Sequence, residues 1–236
     1  MDNSLSIYII GAQCTGKTTL VEAVAQRLQS NEAKLSFSTI KELARGILKT
    51  ASVNRNDIRA GTEKAMEFQR LVLSAQVNEE LDRESHGFIV SDRSGVDPIA
   101  YARLYGPPEA AKKLLESFDW GLLRERMRQG LVILCEPVPE WLFDDGTRLM
   151  PADDEEWHKL HQVFIGLLRE AGVAFEVLPA TCTSKEERTE FVLDRWGNKW
   201  RSLDPVGGGG RSWREWTRCL DEQRRAKQDY GETHFW

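Results

Sequence analysis

The stretch Gly11-Ala12-Gln13-Cys14-Thr15-Gly16-Lys17-Thr18, continued by Thr19, fits the pattern G-x-x-x-x-G-K-(S/T). Glycine at the two fixed positions admits backbone angles that other residues resist, so successive N–H groups can curl around a phosphate. The start of the helix that follows adds about half a positive charge and a set of unpaired donors. Lys17 is spaced to reach the β- and γ-phosphates of a nucleoside triphosphate, and the Thr18 hydroxyl takes a Mg²⁺ position. Gly11, Gln13, Cys14, Thr15, Gly16, Lys17, Thr18 and Thr19 are therefore expected to bind a nucleotide. Cys14 is either a small filler in this loop or a thiol acidified by the helix start.

Such a loop needs a buried strand before it and a helix after it. Residues 5–10 are short, apolar and β-branched, which predicts the strand. Leu20, Val24 and Leu28 are spaced to share one face of the helix. Further along, the pattern predicts a strand over 35–40, a helix over 41–48, a polar loop over 50–61 and a long helix over 62–84. A third strand, 88–91, delivers Asp92-Arg93-Ser94 at its carboxyl end. Asp97 then caps a helix whose first position is Pro98. Short helices over 110–118 and 122–129 lead to a fourth strand, 131–135. A polar segment, 136–154, precedes a helix over 155–171 and a fifth strand, 173–178. Ser184 and Glu187 form a capping box for a last helix that runs through Trp196 and ends at Gly197.

Near-continuous apolar strands alternating with helices predict an α/β fold: a five-stranded, mostly parallel sheet with helices on both faces. Ligands of such sheets bind outside the carboxyl ends of the strands. That rule gathers the 11–18 loop, Glu42, Asp92 and the segment after Cys135 around one cleft.

Composition narrows the classes. A hydrophobic fraction of 41% and a charged fraction of 29% are ordinary for a soluble globular chain, and a net charge of -5 argues against a general nucleic-acid binder. No apolar run approaches the roughly 20 residues of a membrane span. The four cysteines show no C-x-x-C spacing and fit reduced thiols of a cytoplasmic protein. His158 and His161 read as a surface pair. Residues 201–210 include four consecutive glycines and form a flexible linker. Beyond them, over 211–236, Trp213, Trp216 and Leu220 mark an amphipathic helical tail that docks on its own domain, on a second copy or protein partner, or on a lipid surface.

The order of motifs resembles the NadR-like branch of P-loop nucleoside and nucleotide kinases, often catalogued as an AAA-type ATPase domain. Four stretches carry the likeness: the 11–18 loop, Glu42-Leu43-Ala44-Arg45, Asp92-Arg93-Ser94 with Asp97 to Ala102 behind it, and Asp144-Asp145-Gly146-Thr147-Arg148. It spans roughly residues 5 to 196, within a kinase-like domain over 1–200 that carries a lid around 136–154. The resemblance implies that ATP, with Mg²⁺, gives its γ-phosphate to a hydroxyl of a small nucleoside-like or ribosyl metabolite. It places Asp92 beside the Mg²⁺ and the acceptor hydroxyl, Glu42 on substrate or metal-bound water, and Arg148 in the lid. The adenylyltransferase domain that precedes the kinase in NadR has no counterpart in these 236 residues.

With Lys17 and the metal, the cation that closes on the transferring group is Arg148 or Arg93, either of which also reads as a salt-bridge residue. Asp92 is a base for the hydroxyl or a ligand of metal-bound water. Arg45 binds a substrate anion or pairs with Glu42. Gln69 and Gln76, seven apart on the long helix, form a polar helix face or present one residue to the substrate. The competing reading is a nucleotide-dependent regulatory switch with a protein or lipid partner. Asp92-Arg93-Ser94-Gly95 has the D-x-x-G spacing of such switches, but a guanine-reading N-K-x-D is missing, since Arg201 follows Asn198-Lys199-Trp200.

Overall fold

The computed structural model describes residues 6–30, 35–142 and 149–203, with residues 202 and 203 described by backbone alone. Five parallel strands form one sheet in the order β2-β3-β1-β4-β5. They are β1 (Ile7–Ile10), β2 (Phe37–Ile40), β3 (Phe88–Asp92), β4 (Leu131–Cys135) and β5 (Glu176–Leu178). The helices between them are α1 (Lys17–Gln29), α2 (Ala44–Ala51), α3 (Arg55–Arg59), α4 (Glu63–Asp82), α5 (Val96–Tyr105), α6 (Pro108–Leu115), α7 (Phe118–Gln129) and α8 (Asp154–Glu170); α9 (Lys185–Leu203) follows β5.

The strand period divides the core in two. Tyr8 and Ile10 point with Ile89, Val132 and Leu134 into a cluster covered by α4, α5, α7 and α8. Ile7 and Ile9 point the other way, with Val90, Ile133 and Cys135, under Leu20 and Val24 of α1 and Val192, Leu193 and Trp196 of α9. Both faces are dry, which is why these strands read as unbroken apolar runs.

Several boundaries differ from those the pattern predicts. The 50–61 stretch is not all loop: Asn54 accepts from the Asn56 and Asp57 amides while Asp57 accepts from the Asn54 amide, and this reciprocal cap supports α3. Helix α5 begins at Val96, one residue before Asp97, whose carboxylate turns back to the Ser94 amide. Helix α9 continues through Gly197. A glycine there costs about 1 kcal/mol, and the continuous packing of Trp200 on Trp196 and of Trp196 on Phe88 outweighs it. The first residues of the expected linker are therefore helical; the rest of the linker and the Trp-rich tail lie outside the described residues.

Beneath the sheet sits a buried polar network. Glu80 accepts from Tyr8 Oη at 3.0 Å, Arg126 Nε at 3.1 Å and Gln76 Nε2 at 2.9 Å, and Gln76 also reaches Ser91 Oγ. Glu80 is fully buried. Burial pushes its carboxyl up, opposed by Gln76 and Arg126. Arg126→Met should cost about 3–5 kcal/mol, because it strands a buried charge. Adding Glu80→Gln should recover most of that loss, as read from denaturant midpoints of the two variants.

Candidate active site

The turn from β1 into α1 is built by two residue types. Gly11 takes φ +136°, and a Cβ there would lie 2.7 Å from the Cys135 carbonyl oxygen. Gly16 takes φ +72°, and a Cβ there would meet the Trp141 ring at 2.8 Å. Cys14 is also left-handed, at φ 58°, with its side chain buried in the core, so it acts as filler. Lys17 is buried and folds back, its ammonium donating to the Ala12 carbonyl and, at 3.2 Å, to Thr15 Oγ1. Burial, helped by the Arg93 cation, brings its pKa down to about 8.

Two cavities open at the carboxyl ends of the strands. One, about 380 Å³, lies over the loop and is lined by Cys14 to Leu20, Trp141, Thr183, Lys185 and Arg188. The other, about 460 Å³, has walls from α2, α3, α4 and α5, with Leu48, Ile58, Phe68, Val72, Tyr101 and Leu149 among its apolar lining. Gln13, Glu42 and Arg93 line both. The two spaces meet at those three side chains.

Arg93 dominates the junction. It is a non-glycine residue at φ 82°, just past the end of β3, with its amide held by the Ile9 carbonyl. Its Nε donates to Glu42 Oε1 at 2.8 Å and a terminal nitrogen to Asp97 Oδ1 at 3.0 Å. Arg45 pairs with the other Glu42 oxygen at 2.9 Å. Burial alone would push Glu42 up, but Arg93 first, then Lys17 and Arg45, pull it down to about 2. For Asp97 burial prevails over Arg93 and its carboxyl rises. Tyr101 is half-buried; desolvation pushes its hydroxyl up to about 12, and it donates to Gln13 Oε1 at 3.2 Å.

The Glu42 shift has a pH consequence. A depressed carboxyl stabilises the fold above its unfolded value of 4.5 and loses that contribution as pH falls toward about 2. The gap corresponds to about 3 kcal/mol. Glu42→Gln should therefore flatten the acid limb: the stability difference between wild type and variant should narrow between about pH 4.5 and 3 in urea titrations.

Asp92 lies beneath the cleft, 2% exposed. Its Oδ2 accepts from Thr18 Oγ1 at 2.5 Å, and its Oδ1 is buried without a hydrogen-bond partner. An unpaired carboxylate oxygen beside a threonine hydroxyl is a donor set suited to a hard divalent cation, and Thr18 with Asp92 fits Mg²⁺.

The structure thus brings together Gln13 to Thr19, Glu42, Arg45, Asp92 and Arg93, while Gly11 shapes the turn from below. Arg148, with the rest of 143–148, lies outside the described residues. Gln69 and Gln76 do not form a solvated face; both are 3% exposed. His161 is likewise buried, with Nδ1 unpaired, so of the pair His158 alone is at the surface. Arg188 and Trp141, which no sequence motif marks, also line the cleft over the loop. Arg188 donates to the Thr15 carbonyl at 2.8 Å and sits 4.8 Å from the Trp141 ring centre. Arg188 lies one residue past the capping box of α9, and Trp141 just ahead of the Asp-Gly-Thr-Arg stretch; neither carries a signal of its own.

The same architecture recurs in solved kinase structures. A NadR protein in complex with NR superimposes with a TM-score of 0.55 at 22% identity, over 79% of this chain and 51% of that one. A NadR protein in complex with NAD and AMP-PNP gives 0.56 at 20% identity, over 84% and 48%. Deoxyadenosine kinase from M. mycoides gives 0.54 at 14% identity, over 82% and 99%. The chain thus spans about half the length of the NadR chains, and at these identities the likeness is one of fold. A search of curated protein sequences gave no match. The sequence itself matches the model of a family described as an AAA domain over residues 6–188, most of the chain, and the protein belongs to that family.

Proposed function

We propose that this protein is a small-molecule kinase that transfers the γ-phosphoryl group of ATP to a hydroxyl of a nucleoside-like or ribosyl metabolite. The observation that carries this reading is the pair of cavities meeting at Gln13, Glu42 and Arg93. One has the amide loop of a triphosphate site. The other is a mostly apolar space of small-metabolite size. A regulatory switch needs only the first.

The loop amides and Lys17 bind the phosphates, with Arg188 and Trp141 at the far end of the same cleft beside the nucleotide. Thr18 and Asp92 would hold Mg²⁺, which supplies charge neutralisation on the β- and γ-phosphoryl oxygens. Arg93, fixed by two carboxylates, presents its guanidinium between donor and acceptor, where phosphoryl transfer concentrates negative charge. Glu42, ionised and aimed from the acceptor side, orients the attacking hydroxyl. Little covalent chemistry is asked of the protein; positioning and charge suffice.

The test is a metabolite screen with Mg-ATP, following ADP release and a phosphorylated product together. Stoichiometric transfer to a hydroxyl is expected. Slow ADP release independent of every acceptor would return the protein to the switch class.

A further inference from the structure

Of the residues in the 11–18 loop, Gln13 is the one that also lines the acceptor cavity. It is held at two points. Its backbone carbonyl accepts from Trp157 Nε1 of α8 at 3.0 Å, and its side-chain Oε1 accepts from Tyr101 Oη of α5 at 3.2 Å. Tyr101 belongs to the wall of the acceptor cavity and not to the cleft over the loop. The side chain therefore carries its amide from the phosphate loop to the far side of the junction. Gln13 is 3% exposed, and among the described residues its Nε2 has no hydrogen-bond partner. A primary amide holds one acceptor and two donors; here the acceptor is satisfied and the donors are not, which disfavours the empty fold. Native proteins keep few such groups, and a ligand atom is one reason to keep them.

We propose that the Gln13 side chain senses the γ-phosphate: Nε2 donates to a γ-phosphoryl oxygen, and Tyr101 aims the amide by holding Oε1. The proposal deepens the kinase reading and rests on it for the direction of the triphosphate, with the γ-phosphoryl turned toward the acceptor cavity. The chemistry follows from the unpaired atom. It only donates, so its partner is an oxygen lone pair. Two kinds of oxygen meet at the junction when both sites are filled, that of the γ-phosphoryl group and that of the acceptor hydroxyl. The anionic phosphoryl oxygen is the stronger acceptor. A hydroxyl about to attack phosphorus needs its own lone pair free. The loop amides and Lys17 also serve the β-phosphate, which ADP shares with ATP. A donor on the acceptor side of the loop meets a group that ATP alone has. A bond from Nε2 to an anion also polarises the amide and strengthens the bond that Oε1 accepts from Tyr101. The wall of the acceptor cavity thereby registers whether the nucleotide is a triphosphate or a diphosphate.

The experiment uses the full chain with Mg²⁺ and no acceptor, and compares the dissociation constants of AMP-PNP and ADP by calorimetry. Gln13→Met keeps the length of the side chain and removes the amide. It should weaken AMP-PNP by about 10- to 100-fold, the factor for a hydrogen bond to a charged group, and change ADP by less than about twofold. Tyr101→Phe leaves the amide in place but releases Oε1. It should weaken AMP-PNP by about threefold to tenfold and spare ADP, although Tyr101 does not line the nucleotide cleft. The double variant should lose no more than Gln13→Met alone, because the tyrosine acts through the amide. Tyr101→Phe carries the test if Gln13→Met fails to fold. An AMP-PNP-to-ADP ratio unchanged in either variant, or an equal loss of both nucleotides, overturns the proposal. No acceptor enters these measurements, so the kinase reading stands or falls apart from them. The expected ratios in a protein that transfers to no hydroxyl would sink the kinase reading and leave Gln13 its role. Transfer with unchanged ratios would do the reverse.

Discussion

Arg93→Met should lower phosphoryl transfer by about 10³- to 10⁵-fold, the range associated with loss of a cation that touches the transferring group. In barrier height that is about 4–7 kcal/mol. The size follows from placement: among the described residues Arg93 is the one cation that lines both cavities, and it is held from two sides, by Glu42 and Asp97. Its removal also takes the paired cation from Asp97 and leaves Glu42 only its bond to Arg45, so a stability loss is expected alongside. Arg93→Lys separates the effects. It keeps the charge and most of the fold, but a point charge cannot serve two carboxylates and a phosphoryl group in a fixed fork. Turnover should remain depressed in Arg93→Lys while the denaturation midpoint recovers. If both variants turn over at wild-type rates, Arg93 is a structural clamp.

Asp92→Asn should lower turnover by about 10²- to 10⁴-fold, equivalent to the several kcal/mol that a correctly held metal contributes. The geometry is specific about how. The Thr18 hydroxyl can still donate to an amide oxygen, so the loop keeps its shape, while the unpaired Oδ1 becomes a neutral group. The Mg²⁺ concentration needed for half-maximal rate should rise, with affinity for metal-free nucleotide little changed. Lys17→Ala should show the opposite pattern, a loss of nucleotide affinity at every Mg²⁺ concentration. Identical profiles in the two variants would show that the loop acts as one unit.

Much of this was legible before any coordinates. The loop from Gly11 to Thr18 is legible because its chemistry is local: glycine angles, a helix start and a lysine lie within eight residues. The five strands are legible because burial on both faces writes itself as an apolar run. The acceptor side was less so. Glu42 and Arg93 follow β2 and β3, which α2, α3 and α4 separate along the chain, and nothing in spacing says that their side chains share one ion pair. Asp97 illustrates the difficulty. Its position before Pro98 suits a helix cap, and the carboxylate indeed takes the Ser94 amide, yet it also holds Arg93. Gln69 and Gln76 look alike in sequence, and only the packing of α4 separates the one that lines a cavity from the one bonded to Glu80 and Ser91. Helix α3 hid because a five-residue helix has too few turns to show a period.

The common wall of Gln13, Glu42 and Arg93 also imposes a rule on how the two sites talk. Arg93 has a limited set of donors, and an anion arriving from the nucleotide side draws on the same guanidinium that steadies Glu42 on the other. Whatever factor one ligand imposes on the affinity of its neighbour must be returned in equal measure. Order of addition can then change rates, but the two dissociation constants measured with and without the companion ligand must close the same thermodynamic square.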